Sequence, residues 1–243
     1  MKIPIIYPGF KGKLIIEKSY YYNVNLISLG CDCHPAYLLQ KLHLRKSSLP
    51  FDWLNTNPLM GIEFVNSNIL SDFQFFLEDL KINERGYIVS EKFDYSEFMH
   101  EKNLISNLDS KAKFNRRINR FTDTIKNESV FYLYNITSVS INSKICVDKF
   151  FEDVIYFMSL IKETDKLHIY IRFDESYEEN HIYCSLLLDK LNQLKNVKSI
   201  YYLRETSKYG TWGNESQYKK ILNLFDIKIK SRFFPKFYLK KSN

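Results

Sequence analysis

Apolar and amphipathic stretches alternate along this chain in a pattern that repeats. VNLISLG (24–30) is a mainly apolar stretch closed by a glycine and reads as a buried strand. HPAYLLQKLHL follows at once and reads as a helix, with Pro35 in its first turn, where a missing N–H costs little. From residue 130 the alternation becomes regular. Strand VFYLYNI (130–136) precedes helix VDKFFEDVIYFMSLIKE (147–163), and strand LHIYIRF (167–173) precedes helix HIYCSLLLDKLNQL (181–194). Strand SIYYLRE (199–205) precedes helix ESQYKKILNLF (215–225), and IKIKSRF (227–233) closes the series. Apolar strands separated by helices predict a mainly parallel sheet covered on its faces.

The intervening stretch has a different period. PLMGIEFVNSNILSDFQFFLEDL predicts short helices, and NLISNLDSKAKFNRRINRFTDTI a long amphipathic one. In the latter, Leu104, Ile105, Leu108, Phe114, Ile118, Phe121 and Ile125 recur mostly every three or four residues. The expected fold is therefore a single three-layer α/β domain over 1–243. It carries a helical insertion at 47–127 and a basic C-terminal tail at 228–243. KIPIIY and KLIIEK near the start predict a small hairpin beside it.

Composition adds little to the fold and more to the setting. Hydrophobic residues make up 45% and charged ones 26%, the balance of an ordered globular chain. No apolar run reaches the ~18–20 residues of a membrane span, and the N-terminus lacks the apolar core of a secretory signal. A cytoplasmic location is expected, with the four cysteines as thiols. The formal charge of +7 is partly local: from Lys228 onward there are six Lys or Arg and no acid. Phe233, Phe234, Phe237 and Tyr238 are interleaved with those cations, a pattern suited to weak contact with an anionic surface. The simpler reading is a terminal strand with a solvated end and its aromatics packed on the body. No DNA-reading motif is visible, and the sequence leaves the oligomeric state open.

Candidate chemistry concentrates in SLGCDCHPA, residues 28–36. Cys31, Cys33 and His34 are three soft donors, but a structural zinc site needs a second knuckle at matching spacing, and none is present. A C-x-C pair is also strained as a disulfide. Neither a metal nor a cofactor is expected. In open α/β sheets ligands bind beyond the carboxyl ends of the strands. Gly30 marks such an end, which puts Cys33 at the start of the following helix. The positive dipole end there favours an anion, so Cys33 is expected to ionise more easily than an ordinary thiol. Backbone N–H groups at the same place could form an oxyanion hole.

A second block, LRKSSLPFDWL (44–54), forms a compact polar–aromatic turn. Its Arg45 and Asp52 are candidates for an ion pair beneath the site, and its Phe51 and Trp53 for plugging the core. Together the two blocks resemble the papain-like cysteine peptidase family DUF1796. Ser28, Leu29, Gly30, Cys33 and Ala36 carry the first part of the resemblance; Leu44, Arg45, Ser48, Pro50, Phe51, Asp52 and Trp53 carry the second. His100 falls where that family has its histidine, and Arg116, Arg117 and Arg120 resemble its Arg-rich helix.

The resemblance implies a cysteine-dependent hydrolase or acyltransferase, with Cys33 as nucleophile and His100 as general base. Its substrate would be a peptide or another acyl-bearing molecule. Asn135 and Asp174, both near carboxyl ends of strands, are the candidates for orienting the imidazole, with Asp52 a further option. Ser28, Gly30, Arg45, Asp52, Trp53 and Arg117 are expected to bind substrate or support the site. The alternative is a non-catalytic or transferase-type module binding a phosphate or sugar-nucleotide at the strand ends, with Arg117 or Arg204 as its cationic contact.

Overall fold

The computed structural model describes residues 2–7 and 10–241. The chain opens with the hairpin β1 (Lys2–Tyr7) and β2 (Phe10–Glu17), then a two-residue strand β3 (Tyr20–Tyr21). Strand β4 (Asn25–Gly30) leads into helix α1 (His34–Lys41). The insertion holds β5 (Asn55–Thr56), α2 (Gly61–Leu70), β6 (Leu80–Ile82), β7 (Ile88–Ser90), β8 (Ser96–Glu97) and α3 (Leu108–Asn127). The series β9 (Val130–Thr137), α4 (Lys144–Leu160), β10 (Lys166–Asp174), α5 (His181–Asn192) and β11 (Val197–Arg204) follows. Helices α6 (Thr206–Tyr209) and α7 (Tyr218–Leu224) and strands β12 (Lys230–Ser231) and β13 (Lys236–Lys241) complete it.

The expected α/β architecture is present. β11, β10, β9 and β4 form a four-stranded sheet in that order, with parallel pairing throughout. Because all four strands run the same way, their carboxyl ends share one rim. Alternation along the strands divides the core. Ile27, Leu29, Tyr132, Tyr134, Ile169 and Ile171 pack with α2, α3, α4 and α5 on one face. Leu26, Leu133, Tyr170 and Tyr202 pack with α1 and α7 on the other. The insertion's aromatic cluster is continuous with the first face, where Phe51 meets Phe64, Phe73, Phe76 and Phe121.

Local forces moved several boundaries. The long amphipathic helix begins at Leu108 rather than near Leu104, because Asn107 caps it by accepting from the Ser110 N–H. Leu104 is buried in the preceding turn, while Ile105 and Leu108 face solvent. Cys146 lies inside the first turn of α4, whose cap Ser143 accepts from its N–H. The insertion also holds short antiparallel pairs, β5 with β8 and β6 with β7, that are too brief for a periodicity to reveal.

The end of the chain differs most. The expected closing strand shrinks to β12, which pairs with β3 outside the central sheet. β13 adds antiparallel to β2, making the N-terminal hairpin three-stranded. Tail aromatics are not packed on the body: Phe233 is 92% exposed and Phe234 74%. Among the described residues no helix is long and apolar enough to cross a membrane.

Candidate active site

Gly30 ends β4 with φ +86°, a left-handed conformation that only glycine adopts without strain. This turns the chain sharply off the rim, so that Cys31, Asp32 and Cys33 form the loop before α1. The second motif block closes over that turn, with the Phe51 carbonyl oxygen lying against Gly30. The backbone of Thr56 donates to the Cys31 carbonyl at 2.6 Å.

The three soft donors of this loop diverge. Cys31 is buried in the core. His34 is buried with its Nδ1 2.6 Å from the Tyr170 hydroxyl, among the rings of Tyr202 and Tyr218. Burial lowers its pKa to about 4, so it is a neutral core histidine. Cys33, half-buried at the N-cap of α1, places its Sγ 3.7 Å from His100 Nε2. His100 reaches that spot from the exposed turn after β8, 67 residues along the chain.

One electrostatic expectation is reversed. Cys33 is not an acidified thiol: burial pushes its pKa up to about 11, and the nearby carboxylates of Asp32 and Asp52 act in the same direction. Taking a thiolate out of water beside two negative charges favours the neutral thiol. The oxyanion donors are thinner than expected too. Asp32 Oδ1 accepts the His34 N–H at 2.9 Å, and Pro35 has no N–H.

The candidates for orienting His100 lie elsewhere. Both oxygens of Asp174 are taken by Arg204, at 2.7 and 2.9 Å, and Arg172 Nε is 3.4 Å from Oδ1. Arg172 also donates to Asp32, so a chain of alternating charges runs along the rim from Asp32 to Arg204. Arg204, one of the two candidate phosphate contacts, is thus engaged by a carboxylate, as is Arg172. Asn135 is fully buried in β9 beside Tyr170. Among the described residues no group hydrogen-bonds His100 Nδ1. Instead the imidazole sits edge-on to the Trp53 indole, with ring centroids 6.2 Å apart.

Trp53 is itself fixed from behind. Arg45 stacks over it at 5.2 Å and donates to Asp52 Oδ2 through Nε and Nη2, at 3.0 and 2.7 Å. Asp52 is buried and also accepts the Leu49 N–H at 2.8 Å, which closes the turn. The expected ion pair beneath the site is therefore present, and Asp52 braces its own loop rather than capping a following helix. Arg45 Nη2 reaches Ser48 Oγ as well, and Arg120 donates to the Ser48 carbonyl, each at 2.8 Å. Ser28 is buried behind this turn and lines a cavity of about 170 Å³ with Arg45 and Asp52.

Two larger cavities lie nearby, one lined by His100 and one by the loop residues Cys31 and Asp32. One, of about 310 Å³, is walled by Trp53, Phe98, His100, Phe114, Arg117 and Trp212. The other, of about 640 Å³, is polar and lies beyond Asp32, among Asn55, Asn57, Asn83, Arg85, Glu97 and Arg172. Trp212 was not singled out by any pattern. It comes from the loop after α6 and stacks on Tyr37 of α1 at 3.9 Å and 11°, a contact between distant segments.

Residues 24–164 match the family described as "Putative papain-like cysteine peptidase (DUF1796)", over more than half of the chain. The chain belongs to the DUF1796 family. Cys33, His100, the 44–54 block, Arg117 and Asn135 fall inside the DUF1796 match; Asp174 and Trp212 fall outside it. The chain is also 46% identical over 50 residues to an uncharacterized protein of Acanthamoeba polyphaga mimivirus. That stretch is 21% of this chain and 22% of the viral protein, so the two are alike over under a quarter of either length. No solved structure matches the chain.

Proposed function

We propose that this DUF1796 protein is a cysteine-dependent hydrolase of acyl groups, peptidase-like, with Cys33 as nucleophile and His100 as its base. The observation that carries the reading is the 3.7 Å between Cys33 Sγ and His100 Nε2, two residues 67 positions apart in the chain. That separation suits a weak thiol–imidazole contact that tightens when substrate binds.

The raised thiol pKa supports one form of the chemistry. Cys33 rests as a neutral thiol, and its proton leaves for His100 as sulfur attacks the carbonyl carbon. The imidazolium then protonates the leaving group as its bond to carbon breaks, giving a thioester on Cys33. Water attacks that thioester, with His100 taking the water's proton and returning it to sulfur. Packing against Trp53 takes the place of an orienting carboxylate.

Acylation by an activated ester tests this. Mass spectrometry of the quenched reaction should find the acyl group on Cys33, with none on Cys33→Ser. Acylation of His100→Ala should be slower by about two orders of magnitude, within the range of general-base catalysis. Labelling of Cys33 no faster than in the denatured chain would overturn the reading.

A further inference from the structure

The cavity of about 310 Å³ beside His100 is small for a ligand pocket, at the low end of the ~300–1,000 Å³ range, so it suits one residue rather than an extended chain. Trp53, Phe98, Phe114 and Trp212 make its wall mainly aromatic. His100 belongs to that wall and Cys33 does not, which puts the cavity on the imidazole's side of the pair. The group that receives a proton from His100 is the leaving group, so on the reading above this side is where a leaving group is held.

One polar feature of the cavity is unbalanced. Arg117, from α3, has a side chain only 11% exposed; it lies over the Phe114 ring at 4.7 Å, its Nε is sealed from solvent, and among the described residues none of its N–H groups makes a hydrogen bond, so only its terminal Nη groups can be offered to the cavity. Glu101 also lines the cavity, but its carboxylate stands 3.9 Å from Arg117 and is neutralised more closely by Lys113 at 2.6 Å. A largely buried guanidinium with an unfilled donor is costly unless something anionic meets it. An aromatic wall and an under-paired arginine together describe a ligand with an apolar body and one carboxylate.

We propose that this cavity binds the leaving portion of the substrate, an apolar amino acid with a free carboxylate that meets Arg117. The substrate class is then an acylated apolar amino acid, or a peptide ending in one. Attack by Cys33 sulfur breaks the carbonyl-carbon-to-nitrogen bond. The proton on His100 passes to the departing amine, and the acyl group stays on sulfur until water releases it as a carboxylic acid.

The inference rests on the catalytic reading, but its test does not need catalysis. The chain has two tryptophans, Trp53 and Trp212, and both line this cavity, so tryptophan emission, excited beyond the absorption of the tyrosines, reports its occupancy. Cys33→Ser protein would be titrated with N-acetyl-L-leucine, N-acetyl-L-leucinamide and N-acetyl-L-glutamate. Saturable change in emission is expected with the leucine acid. The amide and the glutamate should bind about tenfold more weakly, the weight of one charge-assisted hydrogen bond or one misplaced charge. Arg117→Gln should erase the preference for acid over amide, and Arg117→Lys should largely keep it. Equal binding of acid and amide, or no emission change with any of the three, would overturn the proposal. Acid-selective binding here, together with failure of the activated ester to acylate Cys33 in the wild-type protein, would overturn the catalytic reading alone.

Discussion

A Cβ built on Gly30 would lie 2.9 Å from the carbonyl oxygen of Phe51, closer than side-chain carbons approach backbone. The two motif blocks are thus in contact at the one residue that has no side chain, and its φ of +86° adds a second reason for glycine. Gly30→Ala should lower stability by about 1–3 kcal/mol through backbone strain, with the clash added. Urea unfolding measures the loss. Acylation of Cys33 should fall along with it, since the same contact sets the turn that presents the thiol.

Thiol acidity provides a second test. With its pKa pushed up to about 11, Cys33 should contribute no thiolate absorbance between pH 6 and 8, comparing wild type with Cys33→Ser. Asp32→Asn removes one of the negative charges that raise it, and should lower the midpoint by roughly one unit. A thiolate plateau at neutral pH in the wild type would show that the start of the helix dominates after all.

Trp53 is a positioning residue that acts through His100. Trp53→Ala should cut kcat by about a hundredfold, the scale of a misplacement near 1 Å, while Trp53→Phe keeps most of the rate. The pH profile of Cys33 acylation distinguishes orientation from general damage. It should flatten in the alanine variant and be preserved in the phenylalanine one.

Stability should depend on two buried histidines away from the chemistry. Burial lowers both His34 and His168 from 6.5 to about 4. Between those values the unfolded chain binds these protons and the folded chain does not, so stability must fall as pH drops from about 6.5 to about 4. Linkage sets the loss at up to ~3 kcal/mol for each, and His168→Gln should remove about half of it. Urea midpoints at pH 7, 5.5 and 4.5 measure it.

Much of the architecture is legible in the sequence because strands buried on both faces must be mainly apolar, and all six residues of β4 are buried, with only Asn25 and Ser28 polar among them. The insertion's small strands are not, since two or three residues show no period. Nor is the fate of the tail: Lys236–Lys241 carries no mark saying that its partner is β2, more than two hundred residues away.

The site divides along the same line. The sequence by itself determined that Gly30 ends a strand, that Cys33 begins the next helix, and that Arg45 and Asp52 share a compact turn. Those are local consequences of side-chain size, backbone freedom and charge over a few residues. Only the tertiary structure decided that His100 reaches Cys33, that Trp53 rather than Asp174 or Asn135 stands beside the imidazole, and that Trp212 closes the cavity. It also reversed the expected acidity of the thiol. A helix start is visible in one dimension, whereas desolvation and the approach of Asp52 exist only once distant segments have packed around the sulfur.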